Sequence, residues 1–268
     1  MSEGMNDLPD EVRGAEENIA GQGDHHLPVE GPGAVKRSTG HGDNHLPAEG
    51  PGAEESSAGH SESHRLKRAA EILSVIFHPL FIPLYGLLII YSSPTLLSFI
   101  PPQVKRMILV LVIANNVLLP ISLAIVLYAR GAIASLRARG RSERVLLLTF
   151  ALLMYSLTAF VLLRMQVPNL FKAYLVSIAV VTLVTLLITV KYQISMHAIG
   201  FGGLLVLVIF MIALYHISMV WQLFAVVLAG GAVMSSRIYL EDHSPAEVWT
   251  GLFAGAAVMG VSLFLLLK

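Results

Sequence analysis

The chain contains no cysteine, which excludes disulfides, cysteine-ligated zinc or iron–sulfur centres and thiol nucleophiles. Charge is scarce too: Asp, Glu, Lys and Arg make up 13% of the 268 residues and cancel to a formal net charge of zero. That balance offers no electrostatic footprint for nucleic acid. The first 60 residues have no apolar run, so no secretory signal is read there and the first span is expected to direct insertion. Against these absences, 55% of the residues are hydrophobic. Beyond position 70 they gather in runs of about 20, enough to cross a ~30 Å hydrocarbon core. A soluble globular domain is excluded for residues 70–268.

The zero net charge conceals a split. Residues 1–64 carry 13 acidic side chains against Arg13, Lys36 and Arg37, whereas 65–268 carry 15 basic and 5 acidic ones. The first segment has almost no aromatic or β-branched residues and is expected to be a disordered acidic tail, unable to bury enough surface to offset ordering entropy. Within it Gly23–Ala34 recurs as Gly42–Ala53 with ten identities in twelve positions. Asp24, His25, His26, Asp43 and His45 offer weak metal ligands; the plainer reading is a duplicated flexible linker, since no scaffold fixes their geometry.

Residues 65–268 are expected to form an all-α integral membrane domain, a bundle of six or seven transmembrane helices. The spans fall at about 72–92, 107–128, 145–163, 170–190, 197–214, 219–235 and 247–267. His78-Pro79 and Pro83 mark the first as kinked or re-entrant, which keeps six open. With the N-terminus inside, ten basic residues (Arg65, Lys67, Arg68, Arg130, Arg137, Arg139, Arg141, Arg144, Lys191, Arg237) lie on the cytoplasmic side. Lys105, Arg106, Arg164, Lys172 and Lys268 lie opposite, so the positive-inside rule favours a cytoplasmic N-terminus. The His78 and Asn115-Asn116 groups are intramembrane polar residues that read either as functional sites or as interhelical glue.

Two interfacial segments concentrate polar groups at span ends. Lys191 to His197 leads into the fifth span, and Ser236 to Glu247 joins the sixth to the seventh. Two complete spans separate them, so both lie on one membrane face. That face gathers two imidazoles, an Arg, a Lys, a Ser and a carboxylate. These are parts for phosphoryl transfer: cations hold the non-bridging oxygens, one His attacks phosphorus and another protonates the leaving alkoxide. Glu247 stands four residues after His243, on the same helix face, where a carboxylate orients an imidazole. Ser244-Pro245-Ala246-Glu247 also reads as a capping box with Pro at the first helical position. Gly200, Gly202 and Gly203 in the fifth span and Gly251 and Gly255 in the seventh suit close helix approach.

Ser236-Arg237-x5-His243-x3-Glu247 resembles the third signature, S-R-x5-H-x3-D, of the phosphatidic acid phosphatase type 2/haloperoxidase superfamily. Ile194-Ser195-Met196-His197 resembles its second, P-S-G-H. The resemblance spans about residues 140–268 and is closest to divergent bacterial membrane members. It implies that His243 is the nucleophile, His197 the general acid, Arg237 and Ser195 phosphate ligands, and Glu247 the final carboxylate. Glu replaces Asp, the Pro and Gly of the second signature are missing, and the first signature, K-x6-R-P, is absent; Arg141, Arg144 and Lys191 are the nearest cations. The resemblance further implies a metal-free, cofactor-free phosphatase for a lipid phosphomonoester or pyrophosphate in a bacterial cytoplasmic membrane. Its partners would be the lipid substrate and the surrounding membrane lipids, with no nucleic acid. The rival is a non-catalytic binder or transport-like protein of lipid phosphates, for which the missing first signature speaks.

Overall fold

The computed structural model describes residues 52–134 and 140–268. Seven helices are long and apolar enough to cross a membrane, and no strand occurs among the described residues. The protein is an all-α integral membrane protein, and of the two expected span numbers it is seven that the helices match. The ligand set proposed for the duplicated segment lies outside the described residues, as do Arg137 and Arg139.

The first span joins α1 (Gly52–Ile76) to α2 (Ile82–Tyr91) through a 3-10 turn, Pro79–Phe81. Helix α1 thus begins inside the segment expected to be tail. Its opening stretch holds Ala and Glu, residues of good helix propensity. The break at His78-Pro79 is expected of a proline, which has no N–H to donate. Backbone groups freed by a break in a membrane need partners, and here they find them. The His78 N–H turns to the Val75 carbonyl and leaves that of Ser74 open. His78 Nδ1 accepts from the Leu80 N–H at 3.3 Å, and the Tyr85 hydroxyl donates to the Ile76 carbonyl at 2.7 Å.

The second span is α3 (Pro102–Val112) and α4 (Leu119–Ala129) with a π-helical turn at Ile113–Leu118 between them. Pro120 explains that turn, because it cannot donate to the carbonyl four residues back. Asn116 is fully buried in the turn, and its Oδ1 accepts from Thr158 Oγ1 at 2.7 Å. This is the glue role for Asn116.

The remaining spans are α5 (Arg141–Arg164), α6 (Asn169–Thr189), α7 (Met196–Tyr215), α8 (Val220–Tyr239) and α9 (Pro245–Leu267). Helix α5 packs on α6, α6 on α9, α7 on both α8 and α9, and α1 on α8. Large apolar side chains such as Phe224, Val227, Phe253 and Leu265 remain exposed, as a lipid-facing surface requires. Trp221 and Trp249 are exposed near opposite ends of the bundle, where aromatic residues anchor membrane proteins.

Helices α7 and α9 touch backbone to backbone. A Cβ on Gly202 would strike the Leu252 carbonyl, one on Gly255 the Ile199 carbonyl, and one on Gly251 would lie 2.8 Å from the Ser195 oxygen. The expected close approach is present, and it brings the starts of the two helices together. Gly255→Leu is expected to destabilise the protein by about 3 kcal/mol through overpacking. Gly231→Leu, where a Cβ meets nothing within 4 Å, should be near neutral. Thermal unfolding in detergent checks both; equal losses would show that the α7–α9 contact is not tight.

Candidate functional site

The turn from α8 to α9 is built by its backbone. The Glu241 N–H bonds the Ile238 carbonyl at 3.0 Å and the Asp242 N–H that of Arg237 at 3.2 Å, a Schellman closure of α8. Glu241 takes the left-handed position, φ 55°, where glycine is usual. The turn brings the His243 N–H to 3.4 Å from the Arg237 carbonyl, so the spacing between Arg237 and His243 is one helix end plus one reversal. Glu241→Gly relieves the left-handed strain and is expected to raise stability by up to ~1 kcal/mol, read by thermal unfolding.

Ser244 caps α9. Its Oγ accepts from the Glu247 N–H at 3.3 Å, its N–H donates to Glu247 Oε2 at 3.2 Å, and Pro245 opens the helix. The same Oε2 stands 2.9 Å from His243 Nδ1. Glu247 is therefore cap and imidazole partner at once. A carboxylate accepts, so Nδ1 carries the hydrogen and Nε2 keeps its lone pair. Burial holds the His243 imidazole below its usual range. Glu247 opposes that through its hydrogen bond and charge, while the positive charges of Arg237 and Arg144 add to the lowering. The net lowering favours the neutral ring at neutral pH.

Arg237, in the last turn of α8, pairs with Asp242 at 2.8 Å and donates to Ser74 Oγ at 3.3 Å. The carbonyl of the same Ser74, the one opened by the break in the first span, lies 3.1 Å from His197 Nε2. Facing a carbonyl, that nitrogen donates. His78 adds a third imidazole, its ring centroid 5.9 Å from that of His197 and nearly perpendicular. Arg237 lies within electrostatic range of all three rings.

Ser195 precedes α7 and is fully buried. Its N–H reaches the Glu247 carbonyl at 3.4 Å, and its hydroxyl meets no hydrogen-bond partner among the described residues. The three nearest cations separate clearly. Arg144 is 9% exposed and within range of His243. Arg141 and Lys191 are exposed, joined at the rim by an Arg141 bond to the Lys191 carbonyl at 3.4 Å. His243, His197, Glu247, Arg237, Ser195 and Arg144 are thus gathered at one end of the bundle, with Arg141 and Lys191 outside them.

No family model, curated protein or solved structure matches the chain. What the arrangement does chemically rests on its own geometry.

Sequence reasoning missed Ser74 and Asp242. Ser74 lies outside the 140–268 stretch and acts through a carbonyl that only the Pro79 break opens. Asp242 stands beside His243 in sequence, but its pairing with Arg237 depends on the Schellman turn. The signal for His78 was present, an imidazole inside a span, and the structure places it beside His197.

Proposed function

We propose that the protein is a lipid phosphatase, similar to the phosphatidic acid phosphatase type 2 superfamily, acting on a phosphomonoester or pyrophosphate in a bacterial cytoplasmic membrane. The observation that carries this reading is the His243 Nδ1–Glu247 Oε2 contact of 2.9 Å beside Arg237. It leaves Nε2 of a neutral imidazole as a nucleophile near two guanidinium groups.

In the proposed reaction His243 Nε2 bonds to phosphorus while the phosphorus–oxygen bond to the lipid breaks, and the leaving oxygen takes the Nδ1 proton of His197. That ring enters the step as imidazolium and leaves it neutral, its Nε2–H still on the Ser74 carbonyl. Water then attacks the phosphohistidine, releasing phosphate and returning the electron pair to His243, while its proton restores His197. Arg237 and Arg144 balance the charge that develops on the phosphoryl oxygens. No step calls for a metal ion.

Phosphate release by the purified protein in EDTA, offered phosphatidic acid, a polyprenyl pyrophosphate and phosphatidylglycerol phosphate, tests the reading. Release on one of these, lost in His243→Ala, supports it and names the lipid. Release that survives in His243→Ala means a different nucleophile. A folded protein that releases nothing favours the second reading, a lipid-phosphate binder. Two observations speak for that alternative: the His197 Nε2–H is engaged by the Ser74 carbonyl, and part of the Arg237 guanidinium by Asp242.

A further inference from the structure

Below the imidazole cluster, α4, α5, α6, α7 and α9 and the broken first span line a half-open chamber of about 430 Å³, in the size range of small-molecule sites. Its walls are almost wholly apolar, with Ile121, Leu148 and Ile178 among them. Thr182 and Thr185 also line it, but their hydroxyls bond the Ile178 and Val181 carbonyls at 2.8 and 2.7 Å. They are spent on backbone and present methyl groups. The chamber exists because prolines interrupt both neighbouring spans, Pro79 and Pro83 in the first and Pro120 in the second, and all three line it.

Polar groups concentrate at one end, where Arg144 and His78 meet the lumen. Arg144 is 9% exposed and makes no ion pair among the described residues. A guanidinium that deep, without a carboxylate beside it, calls for an anion. His78 Nδ1 accepts from the Leu80 N–H, so in the neutral ring Nε2 carries the hydrogen and is a donor. At the other end stand Tyr155 and Met259. Arg144 to Tyr155 is eleven residues of α5, about 16 Å at 1.5 Å per residue, or half of a ~30 Å hydrocarbon core. The chamber is as deep as one leaflet.

We propose that this chamber holds one hydrocarbon chain of an anionic lipid, with the head group between Arg144 and His78. The depth matches a leaflet chain, and the single buried cation at the polar end matches an anion rather than a neutral head. The assignment goes beyond the phosphatase reading and stands for a protein that only binds.

The test uses hexadecyl phosphate carrying a photoreactive group at the far end of its chain, cross-linked to the full-length protein in detergent and mapped by peptide mass spectrometry. Labelling is expected on Tyr155 or Met259. Unlabelled hexadecyl phosphate should compete at least tenfold better than hexadecanol or inorganic phosphate. Ala124→Trp, which fills the chamber from α4, and Arg144→Ala should each cut the labelling at least tenfold. Labelling confined to outward residues such as Leu157, Phe160 and Phe253 would overturn the proposal, whatever the variants do. So would equal competition by hexadecanol, which removes the anion site, or by inorganic phosphate, which removes the chain site. Phosphate release, followed in the same samples, reports separately on the enzyme reading. Chamber labelling without release keeps this site and rejects the phosphatase.

Discussion

His243→Ala is expected to lower phosphate release by about 10⁵-fold or more, to the uncatalysed background, as loss of a covalent nucleophile does in other enzymes. The effect should be chemical and not structural. The His243 side chain bonds Glu247, yet Glu247 keeps its second bond, from the Ser244 N–H at 3.2 Å, so the α9 cap survives. Thermal unfolding should shift by no more than ~1 kcal/mol equivalent. His197→Ala behaves differently. It removes the donor to the Ser74 carbonyl and leaves a buried acceptor unpaired, costing about 1–3 kcal/mol, so turnover and melting temperature should fall together. If His243→Ala melts as low as His197→Ala, its loss of activity says nothing about a nucleophile.

The second large effect is expected from Glu247→Gln. Gln at this position still forms a capping box, so α9 keeps its start and stability should change little. What disappears is the charge opposite His243 Nδ1. A neutral amide in the orienting place of a catalytic carboxylate costs about 10⁴-fold where it has been tested, and a loss of 10²- to 10⁴-fold is expected here. The pH dependence carries a sign. In the proposed reaction His243 must be unprotonated to attack, and burial with Arg237 and Arg144 already lowers its pKa, against the opposing effect of Glu247. The acid limb of the wild-type rate should therefore lie below the ordinary imidazole value of about 6.5. Removing Glu247's charge takes away an influence that raises the pKa, so the limb should move to lower pH still in the residual activity of Glu247→Gln. A limb that moves upward would show that the measured group is not His243.

Much of the fold was legible because membrane spans are written in composition. Runs of about 20 apolar residues have one economical structure in hydrocarbon, the helix, and the prolines at 79 and 83 announced that the first span would be interrupted; the π-helical turn before Pro120 in the second span was not foreseen. Glycines at 202, 251 and 255 announced a close helix pair. Two points lay beyond that reading. The start of α1 at Gly52 falls in a polar stretch with no apolar period to reveal it. Among the cations, Arg141 and Arg144 stand three residues apart at one span end, and hydropathy ranks them alike; packing buries the second and leaves the first at the rim.

Spacing along the chain determined that Ser244 begins α9 and that the polar segments at Lys191–His197 and Ser236–Glu247 lie on one side of the membrane; His243 does meet Glu247, but from the turn before the N-cap and not from a shared helix face. These follow from local geometry and from parity, neither of which needs tertiary contacts. Only the tertiary structure decided what the broken first span does. A carbonyl released by a proline can be satisfied by any donor that packing supplies, and here α7 supplies His197 while α8 sends Arg237 to the hydroxyl of the same residue, Ser74. That convergence spans 123 and 163 positions of sequence, so no local pattern encodes it. The same holds for the chamber beneath, whose volume is set by how six segments pack around two interrupted helices.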